Sequence, residues 1–169
     1  MGVLVSEDVL LDTVALWGLV FANSKYHGPV VEAVRGKRVL IHSICFLELT
    51  YPAYKLESCG GRNVREGLRL ISDLMRAYSS VIENYRLVFG IEKLTIIPLT
   101  VKDILEAYRL ILEEKEVFME ERKGYWPSIV DAVVASYWAK TKINLLTNDR
   151  KLIMYGEKHR LPYMKILET

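Results

Sequence analysis

Apolar residues fall along the chain in two rhythms. Short runs dense in Val, Leu and Ile alternate with longer stretches in which apolar positions recur every third or fourth residue, the pattern of a parallel α/β sheet. The first run is Val9-Leu10-Leu11, which ends at Asp12; a helical stretch follows to about Ser24, with another near Pro29 to Arg35. Arg38 to His42 predicts the second strand, and Ser43 is placed to cap a helix from Ile44 to about Lys55. After the break at Cys59-Gly60-Gly61, the strongest helical pattern covers 62–89, where Val64, Leu68, Ile71, Met75, Tyr78, Ile82 and Tyr85 make one apolar stripe. Leu94 to Pro98 predicts a third strand. Thr100 and Asp103 then have capping-box spacing at the start of a helix reaching about Arg122. Gly124 breaks that helix and Pro127 is placed to open another. Ile143 to Leu146 and Tyr163 to Leu167 complete the strands.

Composition narrows the class. At 169 residues, 51% hydrophobic and 26% charged, the chain predicts one folded domain over 1–169 rather than a disordered segment. The apolar share suggests a sheet covered on both faces or a patch for self-association. A net charge of +2 gives no global field for nucleic acid, so any such partner must meet a local patch. Cys45 and Cys59 stand alone, with no CxxC or Cys/His array, so neither zinc nor a disulfide scaffold is expected. Glu7 and Asp8 interrupt the first apolar stretch, and no apolar run is long enough for a membrane helix. The expectation is a soluble, cytoplasmic protein with no membrane contact.

Chemistry enters where acids break the apolar pattern. Asp12 and Asp149 each follow a predicted strand, at the sheet edge where open α/β folds bind ligands. Each also reads as a helix cap or turn residue. Glu48 sits in the otherwise apolar Ile44-Cys45-Phe46-Leu47-Glu48-Leu49, and is either a functional carboxylate or a solvated helix position. Asp131 is the sharper anomaly, in the first turn of a helix that is apolar on nearly every side. A first-turn acid suits the helix dipole, but that role needs no such surroundings. Several carboxylates brought together repel one another, and a hard divalent cation relieves the conflict because it prefers oxygen ligands. Such a cation also activates water and stabilises a phosphodiester transition state.

These segments resemble the motifs of PIN domains. Val9-Leu10-Leu11-Asp12-Thr13 looks like the opening motif and Phe46-Leu47-Glu48-Leu49 like the second. Ser128 to Ala135 looks like the third, and Leu145-Leu146-Thr147-Asn148-Asp149-Arg150 like the fourth; the order and spacing of these two are the most specific part. The resemblance runs from about Val9 to Leu167. It implies a three-layer α/β/α fold around a central parallel sheet of four to five strands. It also implies an endoribonuclease that hydrolyses RNA with Mg²⁺ or Mn²⁺, held by Asp12, Glu48, Asp131 and Asp149. Thr13, Thr147 and Asn148 match supporting positions. Within the family the chain resembles the VapC-type toxin ribonucleases of toxin–antitoxin pairs, which implies an antitoxin protein as partner and leaves room for a homodimer. The segment 62–89 makes it larger than compact toxins of that kind. A non-catalytic PIN-like module for RNA binding or assembly, and a DNA nuclease with the same metal site, are the rival readings.

Other residues carry less. Arg62, Arg65, Arg69 and Arg76 share one helix face, read either as a solvated surface or as RNA contacts. His27, His42 and His159 show no ligand spacing. Tyr125, Trp126, Tyr137 and Trp138 read as core or interface aromatics rather than base-stacking platforms.

Overall fold

A computed structural model describes residues 7–22, 24–49, 89–120 and 126–166. All of the segment 62–89 except Phe89, with its arginines, and likewise the helix beyond Leu49, Cys59 and Tyr125, lie outside the described residues.

Five strands form the central sheet: β1 (Asp8–Leu11), β2 (Arg38–His42), β3 (Lys93–Ile97), β6 (Asn144–Thr147) and β7 (Tyr163–Lys165). Their order is β3-β2-β1-β6-β7, and every neighbouring pair is parallel. β1 lies at the centre, with Leu11 opposite Ile41 on one side and Leu146 on the other. Val9, Leu10, Leu11 and Leu145 have no exposed surface and Leu146 retains 1%, so side chains pointing to either face are buried. Consecutive buried apolar residues are what a sheet sandwiched between helices requires. Each such side chain contributes about 1.5–3 kcal/mol by leaving water.

The helices are α1 (Thr13–Val20), α2 (His27–Val34), α3 (Ile44–Glu48), α4 (Val101–Glu113), α5 (Lys115–Phe118), α6 (Ile129–Thr141) and α7 (Arg150–His159). Right-handed crossovers place α1 to α3 over one face and α4 to α7 over the other. The packing follows: α1 meets α2 and α3, while α6 meets α4 and α7. This is the three-layer α/β/α architecture with a parallel sheet. The outer side of α4 exposes Val101, Leu105, Tyr108 and Leu112, so the high apolar share serves both a covered sheet and a surface stripe. No described helix is long and apolar enough to cross a membrane.

Several boundaries differ from the sequence reading. The first helix ends at Val20 rather than Ser24, where Phe21 turns extended. Ser43 does not cap α3; its hydroxyl accepts the Leu99 N–H at 2.8 Å and ties the end of β2 to the chain after β3. The Thr100–Asp103 capping box forms as expected. Its helix stops at Glu113, because Glu114 turns inward to meet Lys158 and His159. After α5 the chain extends as β4 (Met119–Glu120), which pairs antiparallel with β5 (Trp126–Pro127). Pro127 therefore sits in a two-residue ribbon, where a missing N–H is tolerated at an edge. The helix after it starts at Ile129.

Gly156 on α7 shows how closely the helices approach. A Cβ there would overlap Cη2 of the buried Trp138 ring and lie 3.1 Å from Cζ3. The ring cannot swing aside, because its Nε1 donates to the Pro162 carbonyl at 3.0 Å. Gly156→Ala should destabilise the protein by about 1–3 kcal/mol, the scale of overpacking a filled core. A thermal or urea melt unchanged by that substitution would show the contact to be looser than it looks.

Candidate active site

β1 and β6 are neighbours whose chains leave the sheet in opposite directions, β1 toward β2 and β6 toward β7. Such a divergence opens a crevice at the carboxyl ends of the two strands. Asp12 and Asp149 start the helices that leave from there. Asp12 is 2% exposed; one carboxylate oxygen accepts the Ala15 N–H at 2.7 Å and the other accepts the Thr147 hydroxyl. The Thr147 oxygen in turn accepts the Asp149 N–H at 2.9 Å. Asp149 caps α7, with Oδ1 accepting from Lys151 N at 2.8 Å and Leu152 N at 3.1 Å. The capping role and the strand-end convergence hold together: the Asp149 cap uses Oδ1 alone, while Asp12 divides its two oxygens between the Ala15 N–H and the Thr147 hydroxyl.

Glu48 reaches the same crevice from the last residue of α3, and Asp131 from the first turn of α6. All four acids line one open cleft of about 480 Å³. Thr13 also lines it, and its hydroxyl hydrogen-bonds the buried Cys45 thiol behind the acids. Asn148 does not line it. Its side chain instead accepts from Ile166 N at 2.9 Å and donates to Ile166 O at 3.0 Å, extending the pairing of β6 with the chain beyond β7.

Three lining residues escaped the sequence reading: Glu120, Trp126 and Lys151. Lys151 joins them to the acids. Its ammonium donates to Glu120 and to Ser128 Oγ, the latter at 2.7 Å, and lies 3.7 Å from Asp131 Oδ2. A basic residue directly after the fourth acidic motif is visible in the sequence, but nothing local aims it inward.

Burial and crowding hold two of the carboxyls far above the usual range. Asp12 is raised to about 7, chiefly by loss of water and further by Asp149 and Glu48, against the lowering effect of the Thr147 and Ala15 hydrogen bonds. Asp131 is raised to about 8, again first by burial, then by Asp149 and Glu48, with Lys151 opposing. Burial likewise pushes the Cys45 thiol up, so it stays protonated and inert as a nucleophile. Lys151 is held above the ordinary lysine range: burial lowers it, but Glu120 and Asp131 outweigh that.

These acids form an all-oxygen donor set short of positive charge, which is the chemistry a hard divalent cation completes. They stand along the cleft walls rather than closed around one point, and no three His, Cys, Asp or Glu side chains among the described residues are grouped to hold an ion. The oxygen donors fit Mg²⁺ or Mn²⁺ in kind, and they are not gathered into a closed ligand cage.

No family model and no curated protein matches this sequence. Solved structures do match its fold. PAE2754 from Pyrobaculum aerophilum superposes over 98% of this chain and 93% of its own, with a TM-score of 0.57 at 16% identity. VapBC2 from Rickettsia felis, bound to a DNA fragment from its promoter, covers 94% and 98%, with a TM-score of 0.54 at 17% identity. VapC20 from Mycobacterium tuberculosis, described as a toxin that cleaves the sarcin–ricin loop, covers 88% and 95%, with a TM-score of 0.55 at 17% identity. The fold of this chain is that of a PIN domain, VapC-like in its topology.

Proposed function

We propose that this protein is a metal-dependent endoribonuclease that hydrolyses phosphodiester bonds in RNA, acting as the toxin of a toxin–antitoxin pair. The observation that carries the reading is the meeting of Asp12, Glu48, Asp131 and Asp149 on one cleft at the switch point of the sheet. Structural roles alone give no reason to crowd four carboxylates where burial and mutual repulsion raise two of them by several units. The fold it shares with VapC20 supports RNA as substrate, and the fold shared with VapBC2 supports an antitoxin protein as partner.

Asp12, Asp131 and Asp149 would hold Mg²⁺ or Mn²⁺, with Glu48 as a further ligand or as the group that orients the attacking water. The cation supplies Lewis acidity toward the phosphate and lowers the pKa of water, as divalent ions do in phosphodiester hydrolysis. The chain's own part is positional. Thr147 fixes the Asp12 carboxylate and the Asp149 backbone relative to each other, and the two caps fix the rotamers. Lys151 keeps a permanent positive charge beside Asp131, where a substrate phosphate must enter.

Purified protein should cut single-stranded RNA in Mg²⁺ or Mn²⁺, stop when EDTA is added, and leave single-stranded DNA of the same sequence uncut. Cleavage that persists in EDTA would overturn the metal chemistry, and equal cutting of DNA would overturn the assignment to RNA.

A further inference from the structure

The cleft has a charge problem that its acids create. Among the described lining side chains five are carboxylates, Asp12, Glu48, Glu120, Asp131 and Asp149, and Lys151 is the one cation. A polyanion approaching this surface meets repulsion until cations bind. An interaction that does not depend on charge would hold the substrate while they do, and the rim of the cleft presents one.

Trp126 is 68% exposed and lines the cleft beside Pro127 and Ser128. One exposed aromatic says little by itself, since scattered apolar residues are normal on surfaces. Its mounting says more. Trp126 lies on the β4–β5 ribbon, opposite Glu120, and Pro127 fixes the backbone next to it. The ribbon is closed by Ser128 N donating to Phe118 O at 2.8 Å. It is clamped to the first turn of α7 by Lys151, which holds both Glu120 and Ser128. The indole is therefore carried by backbone tied to the same turn that presents Asp149. Trp138, by contrast, has no exposed surface and is a core residue.

We infer that Trp126 is a stacking platform for an unpaired nucleobase flanking the bond to be cut. The inference rests on the nuclease reading for its substrate class and adds a base-binding subsite to it. A planar π face at a cleft rim stacks on any base and selects none, which suits sequence-tolerant holding of a strand. Bases inside a duplex have both faces covered by their neighbours, so the platform admits a loop or a single strand and refuses a helix interior. The ring is the part of the cleft whose attraction for nucleic acid is insensitive to the acids around it.

The test measures binding in the Asp131→Asn protein, so that the probe is not consumed. A labelled ten-nucleotide A-strand of RNA, the same strand as DNA, and the RNA strand paired with its complement are titrated at one salt concentration. Trp126→Ala should raise Kd for both single strands by roughly tenfold or more, the scale of losing one base–aromatic stack. Trp126→Phe should stay within about threefold, because it keeps an aromatic face. The duplex should bind alike to all three proteins, and the quenching of tryptophan fluorescence on adding single strands should vanish in Trp126→Phe. With Asp131 restored, Trp126→Ala should lose cleavage through KM far more than through kcat. A Kd indifferent to Trp126→Ala, or an equal loss in Trp126→Phe, would overturn the platform even if the protein cuts RNA. Stacking that behaves as stated in a protein that cuts nothing would keep the platform and remove the nuclease reading.

Discussion

Asp131→Asn should abolish metal-dependent cleavage of RNA and, in the same protein without metal, raise the melting temperature. The two effects share one cause. Asp131 is half-buried in the first turn of α6, and its charged form is disfavoured by loss of water and by Asp149 and Glu48. Asparagine keeps the shape of the side chain and removes the charge, so the folded apo-protein loses a repulsion it had to carry. The same charge is what a divalent cation would bind. Loss of such a group from a charge-stabilising set lowers turnover by about 10²–10³ or more. A stability gain with an activity loss is the signature of a residue retained for function against the interest of the fold. Circular dichroism melts in EDTA and single-turnover cleavage in Mn²⁺ read the two halves separately. A destabilised but active variant would show that Asp131 serves α6 and not the cleft.

A second large effect is expected from pH. An acid whose folded pKa lies above its unfolded value favours the folded state when protonated. That stability is fully present below the unfolded value of 3.8 and is lost as pH rises through about 7 for Asp12 and about 8 for Asp131. Metal-free protein should therefore melt several degrees lower at pH 8.5 than at pH 6.5, since each unit of displacement corresponds to about 1.4 kcal/mol. His42 works in the opposite sense, because burial lowers its pKa and its stability contribution is lost as pH falls below 6.5; the chosen window avoids it. Mn²⁺ should restore far more stability at pH 8.5 than at pH 6.5, because it competes with protons for the same oxygens. Asp131→Asn should flatten both trends. A metal-free melt that rises across this window, or a Mn²⁺ gain independent of pH, would remove the cation from the account.

Much of this is legible in the sequence. β1 and β6 are buried on both faces, so their residues read as unbroken apolar runs. Asp12, Glu48 and Asp131 were conspicuous because each interrupts such a pattern, and the cleft brings all of them together with Asp149. What escaped has a common physical reason. A two-residue ribbon such as Met119–Glu120 against Trp126–Pro127 is too short to show any periodicity. Pro127 looked like a helix start because its fixed backbone angle suits either setting. From the sequence Trp126 reads as a core or interface aromatic, and its exposure at the cleft depends on which way that ribbon faces. Lys151 carries the ordinary look of a surface lysine on a first helical turn, and its closeness to Asp131 exists only after α6 and α7 have packed. Asn148 was taken with its neighbours as part of the site, whereas its side chain completes the sheet edge.

The central position of β1 has a consequence for how the protein comes into being. Thr147 reaches Asp12 across 135 positions of chain, and β1 cannot be flanked on both sides until β6 exists. Long-range strand pairing is slow and comes late in folding. During synthesis, a chain that has emerged as far as α4 holds Asp12 and Glu48 but neither Asp131 nor Asp149, and its first strand lacks a neighbour. The four carboxylates can share a cleft only after α7 has been made and β6 has paired with β1, so the growing polypeptide carries scattered acids and no assembled site until then.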